Sequence, residues 1–81
     1  MSIHRLKTWP EHYRAVRDTR KTYELRRDDR DFDDGDILEL AEWVPETREF
    51  TGRSLLVEIT HMLRDFDGLA PGYVLLSVEL I

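Results

Sequence analysis

Apolar and polar residues alternate with a period of two in five separate segments of this chain, and in one place the period lengthens to that of a helix. Ile3-His4-Arg5-Leu6-Lys7 predicts a first short strand. Thr8-Trp9-Pro10-Glu11 then predicts a helix start, with Thr8 as the cap and Glu11 completing a capping box. Pro10 falls in the first turn, where its missing N–H does no harm. Trp9, Tyr13 and Val16 follow at i, i+4 and i+7 as one apolar stripe, with Arg14, Arg17 and Asp18 opposite.

Alternation resumes from Lys21 to Arg26, with Tyr23 and Leu25 on one face and Thr22, Glu24 and Arg26 on the other. The polar run from Arg27 to Asp36 is a loop ending in a turn at Asp34-Gly35. Ile37 to Val44 predicts a third strand, with Leu38 and Leu40 facing the core. Pro45 to Gly52 is a polar connection, and Gly52 suits a position of positive φ. Ser54 to Leu63 predicts a long fourth strand, on which His61 shares parity with Val57 and Ile59. Asp67-Gly68 and Pro71-Gly72 bracket a loop before a fifth strand, Tyr73 to Ile81. The predicted class is mainly β with one N-terminal helix: a single domain over residues 1–81, curled into a small barrel of about five strands that closes most of its edges.

With 81 residues the core is small, and the chain has no cysteine to cross-link it or to bind a metal as thiolate. Residues 1–20 carry charges throughout and no long apolar run follows, so neither a signal peptide nor a transmembrane helix is expected. A soluble cytoplasmic protein with no membrane partner is the expectation. The net charge of -5 hides an asymmetry. Residues 4–30 hold nine Lys or Arg against five acids, and residues 31–81 hold three against twelve. An acidic protein is a poor non-specific binder of nucleic acid, since phosphate contacts supply most of that affinity. The asymmetry favours one focused basic site, unless the two halves simply pair with each other.

The acidic loop places Asp29, Asp31 and Asp33 at the first, third and fifth positions of a calcium loop. The glycine and glutamate that such a loop needs are Asp34 and Leu40 here, so a solvated turn or an Asp–Arg network with Arg27 and Arg30 is expected instead. His4, His12 and His61 lack metal-ligand spacing. Of the three, His4 is the one expected near a site, and neither a metal nor a cofactor is expected. The best candidate site is Lys7, Lys21, Glu24 and Arg26. Lysine and arginine can neutralise a phosphate or a developing oxyanion, and glutamate can accept from a base amine or carry a proton. Trp9 adds a face on which a base can stack, or else packs the helix.

The segment Thr19-Arg20-Lys21-Thr22-Tyr23-Glu24-Leu25-Arg26 resembles the Gly-x-Lys-x-x-Glu-x-Arg pattern of the ASCH domains, part of the PUA-like superfamily. Lys21, Glu24 and Arg26 match, and Thr19 replaces the glycine. The run from His4 to Tyr13, Asp29-Arg30-Asp31-Phe32, Gly35-Asp36-Ile37-Leu38 and Pro71-Gly72-Tyr73-Val74-Leu75 are similar to a small bacterial and phage ASCH-like subfamily of unknown function. The resemblance implies a PUA-like β-barrel, a cleft between barrel and helix walled by Lys21, Glu24 and Arg26, and RNA, a nucleotide or a nucleoside as the partner. In relatives that hydrolyse an acetylated cytidine, a threonine nucleophile stands where Glu24 stands here. Binding is therefore the expected function, with Lys7, Trp9, Lys21, Glu24 and Arg26 at the ligand. The alternatives are a small hydrolase of a modified nucleoside or RNA, with Lys21 as stabiliser or base and Glu24 as proton carrier, and a protein-interaction regulator.

Overall fold

The computed structural model describes residues 1–81. Five strands and one short helix follow in the order β1 (Ile3–Thr8), α1 (Pro10–Arg17), β2 (Tyr23–Arg27), β3 (Ile37–Val44), β4 (Glu49–Leu63) and β5 (Tyr73–Leu80). The strands make one sheet in the order β1-β3-β4-β5-β2, with β1 parallel to β3 and every other pairing antiparallel. The sheet curls into a half-barrel and stops there. β1 and β2 are its two edges, no strand pairing joins them, and α1 carries the chain from one to the other.

The core follows from the alternation. Leu6, Leu38, Leu40, Val57, Ile59, Val74, Leu76 and Val78 line the inner face of the sheet and cluster with Val16 from α1 and Phe32 from the long loop. Tyr13 and Val16 are the buried residues of the helix. Trp9, expected in the same stripe, is 49 % exposed. The predicted capping box does not form either. Thr8 is the last residue of β1, paired with Glu42 in register, and its hydroxyl donates inward to the Leu6 carbonyl. Trp9 takes the cap position with extended backbone and no side-chain bond. Strand pairing claimed Thr8 before the helix could.

β4 begins five residues earlier than the alternation suggests, at Glu49, and forms a hairpin arm with the end of β3. Gly52 lies within it at φ +94°, the conformation expected of it although in a strand and not a loop. Ile59 faces Val78 and His61 faces Ser77, so Thr60 is an extra residue in β4. That bulge breaks the parity that His61 would otherwise share with Val57 and Ile59. His61 is exposed, and Met62 packs against the core instead.

Three acidic residues are buried, and two of them, Asp36 and Glu42, lie outside the cleft described below. Asp36 is buried and accepts from the Ser2 and Asp33 backbone N–H groups, while His4 Nε2 lies 2.9 Å from it. The His4 contact foremost, then the two N–H bonds, hold its carboxyl below the usual range. Glu42 is likewise buried. Burial opposes its ionisation, but bonds of 2.8 Å from Thr51 and from Arg53 outweigh that and keep it below its ordinary value. Part of the charge asymmetry is thereby used internally, as it is in the Arg5–Glu39 pair. The expected Asp–Arg network with Arg27 and Arg30 forms in part, since Arg30 Nε lies 3.9 Å from Asp29 Oδ1. Asp28 pairs with Arg64 from the end of β4, Arg27 reaches the Tyr73 hydroxyl, and Arg30 donates to the Arg5 carbonyl. No group of three or more His, Cys, Asp or Glu is gathered as metal ligands, and no helix is long and apolar enough to cross a membrane.

Candidate functional site

The cleft lies where the half-barrel stays open. It has a volume of about 490 Å³, within the range of small-molecule sites, and is lined by the end of β1, the start of α1 and most of β2. Its floor is an inversion of the usual strand pattern. On β2 the apolar residues Tyr23 and Leu25 are about half exposed, whereas Glu24 between them is only 2 % exposed. The inner face at this edge is built from charge, because it borders the seam and not the closed core.

A carboxylate this buried needs partners, since an unpaired charge out of water is prohibitively unfavourable. Glu24 has two. Lys21 donates to Oε2 at 2.9 Å and Arg26 to Oε1 at 3.0 Å. Two cations held by one carboxylate leave the group net positive. The Lys21 and Arg26 side chains keep 14 % and 24 % exposure toward the cleft. Arg26 also donates across the seam to the Lys7 carbonyl at 3.1 Å and to the Thr8 hydroxyl at 3.4 Å. Lys21 lies 5.3 Å from the Tyr23 ring and 3.2 Å from His12 Nδ1. An ammonium only donates, so Nδ1 is the acceptor in this contact.

The turn that delivers Lys21 is set by Thr19. Its φ of +57° is left-handed, a conformation that a β-branched residue adopts reluctantly. The Arg20 and Lys21 N–H groups both reach back to the Ala15 carbonyl, at 2.9 and 3.0 Å, and close the helix end. Glycine would suit this position better than threonine. The turn forms nevertheless, with the Thr19 hydroxyl donating to the Asp18 carbonyl.

Of the residues singled out in the sequence, Trp9, Lys21, Glu24 and Arg26 meet at the cleft, and Lys7 borders it. The Lys7 ammonium, however, lies 4.6 Å over the Trp43 ring. Its backbone carbonyl is what engages Arg26. His4, the histidine expected nearest the site, is instead with Asp36 and Phe32 at the far end of β1. His12 takes the position in the cleft, together with Thr8, Tyr23 and Leu25. The helical offset places His12 one turn before Val16 on the side facing the seam, a relation visible only once β2 is known to lie opposite.

The "uncharacterized 12.9 kDa protein in GpA 3′ region" of Escherichia phage P2 is 36 % identical to this chain over 74 residues, 91 % of this chain and 65 % of that protein. The chain thus spans somewhat less than two thirds of the phage protein's length. The model of a family described as a domain of unknown function, DUF3850, matches residues 3–78, and this chain belongs to that family.

Proposed function

We propose that this domain is a PUA-like, ASCH-type module that binds RNA or a nucleotide, with a phosphate of the ligand on Lys21 and Arg26. The observation carrying this reading is the pair of cations fixed by one buried carboxylate at the mouth of an open cleft. Glu24 orients both groups before a ligand arrives, so little side-chain freedom remains to be lost on binding. Trp9 stands half-exposed beside them and offers a stacking face. The net charge of -5 over the whole chain disfavours non-specific attraction for phosphate.

Binding is favoured over hydrolysis by the state of Glu24. Both of its oxygens already accept from cations of the protein, so neither is directed at a ligand proton. Titration of short RNAs and nucleoside monophosphates at low salt tests the reading. Affinity that falls with salt, by a slope of about -0.7 for each phosphate engaged, supports it. No binding of RNA, DNA or nucleotides at any salt concentration overturns it.

A further inference from the structure

The edge of β2 carries unused hydrogen-bonding groups inside the cleft. Val78 donates to the Thr22 carbonyl and Asp28 to the Gly72 carbonyl, on the register that pairs Tyr23 with Ser77. Residues alternate in the direction of their backbone groups along an antiparallel strand. Thr22, Glu24, Arg26 and Asp28 therefore point at β5, and the N–H and C=O of Tyr23 and Leu25 point the other way, to the open seam. β2 is the last strand of the sheet, and no protein group bonds the backbone of Tyr23 or Leu25 on that side. The Tyr23 carbonyl and the Leu25 N–H are thus an acceptor and a donor side by side on one edge, and both residues line the cleft.

Free edges commonly invite another strand. This one is too short for that. At the Arg26 end the guanidinium crosses to the Lys7 carbonyl and closes the seam. At the other end Lys21 and His12 join β2 to α1. What remains open runs from Tyr23 to Leu25, about 7 Å of strand. That length matches the edge of one planar ring, and the flanking Lys21 and Arg26 suit a phosphate attached to it.

We infer that the Tyr23 carbonyl and the Leu25 N–H read the hydrogen-bonding edge of a single nucleobase whose phosphate lies on Lys21 and Arg26. Every base presents a donor next to an acceptor on its pairing edge, so the site takes an unpaired base and excludes a duplex. The inference rests on the nucleotide-binding reading above and sharpens it to one flipped or single-stranded nucleotide.

The test is titration of the full chain with the four ribonucleoside 5′-monophosphates, with ribose 5-phosphate, and with the best-binding nucleotide methylated at its pairing-edge nitrogen, N1 of a purine or N3 of a pyrimidine. At least one nucleotide should bind about tenfold more tightly than ribose 5-phosphate, the worth of two modest hydrogen bonds, and methylation should remove that gain. Leu25→Pro removes the donor without touching the ladder to β5, and a folded variant should bind all of these ligands as weakly as ribose 5-phosphate. Equal binding of nucleotides and ribose 5-phosphate overturns the base reading while the phosphate site stands. Binding of none of them overturns both.

Discussion

The Arg26 guanidinium donates to the Lys7 carbonyl at 3.1 Å and so links the two sheet edges that no strand pairing joins. The same guanidinium bonds Glu24, so one side chain closes the half-barrel and shapes the cleft. All of these bonds come from one guanidinium nitrogen, Nη2, which the planar group holds in place, whereas a lysine ammonium sits on a flexible stem. Arg26→Ala should lower stability by about 2 kcal/mol, and Arg26→Lys should recover less than half of it, as read from urea denaturation at neutral pH. Full recovery by lysine would show that only charge matters at this position.

Glu24 is the partner whose loss should be felt most. Glu24→Gln leaves Lys21 and Arg26 facing each other without their shared counter-charge. The expected destabilisation is about 3 kcal/mol, the lower end for breaking a buried ion pair, because both cations retain some exposure. Replacing Lys21 as well should relieve part of it, and a double-mutant cycle measures that coupling. An additive cycle would place the two residues outside one network.

Thr19 holds a conformation better suited to glycine. Thr19→Gly should raise stability by about 1 kcal/mol, which for a domain of this size is about 4–8 °C in Tm. An unchanged or lower Tm would show that the turn is not strained by its side chain.

Part of the response to acid should run through Asp36. Its folded carboxyl titrates below the ordinary range because His4 and two backbone N–H groups stabilise the anion. A depressed carboxylate contributes stability that is fully present above its unfolded pKa of about 3.9 and is lost as pH falls through the lower folded value. Asp36→Asn should cost about 2 kcal/mol at pH 7 and flatten the stability profile below pH 4, as measured by denaturation across pH. A variant as acid-sensitive as the parent would point to another carboxylate.

Much of this arrangement is legible along the chain. Five alternating segments gave five strands, and Leu38 and Leu40 took the core face expected of them. What the alternation could not carry was decided by tertiary neighbours. Thr8 was drawn into β1 by pairing with β3, so its cap was lost. The bulge at Thr60 turned His61 outward, and nothing local to that segment marks it. Lys21, Glu24 and Arg26 were recognisable by spacing, but whether their charges faced water or an inner cleft depended on β2 being an edge strand. The place of His12 in the cleft is hidden for the same reason, since its partner lies nine residues away across a turn.

Lys7 separates the two basic residues that face the cleft from those that merely surround it. Its ammonium rests over Trp43 and only its backbone engages Arg26. Lys7→Ala should change nucleotide affinity by less than about threefold, the range of an ordinary surface substitution. A loss as large as that from removing Lys21 would place the Lys7 side chain on the ligand.

The most direct measurement is therefore the affinity of the parent chain and of Lys21→Ala for a short single-stranded RNA across a salt series. Binding by the parent should weaken with salt, and Lys21→Ala should show an affinity at least about tenfold lower with a slope shallower by about 0.7. Equal affinity and equal slope in the two proteins would contradict the proposed function, because the cation held on Glu24 would then not be meeting phosphate.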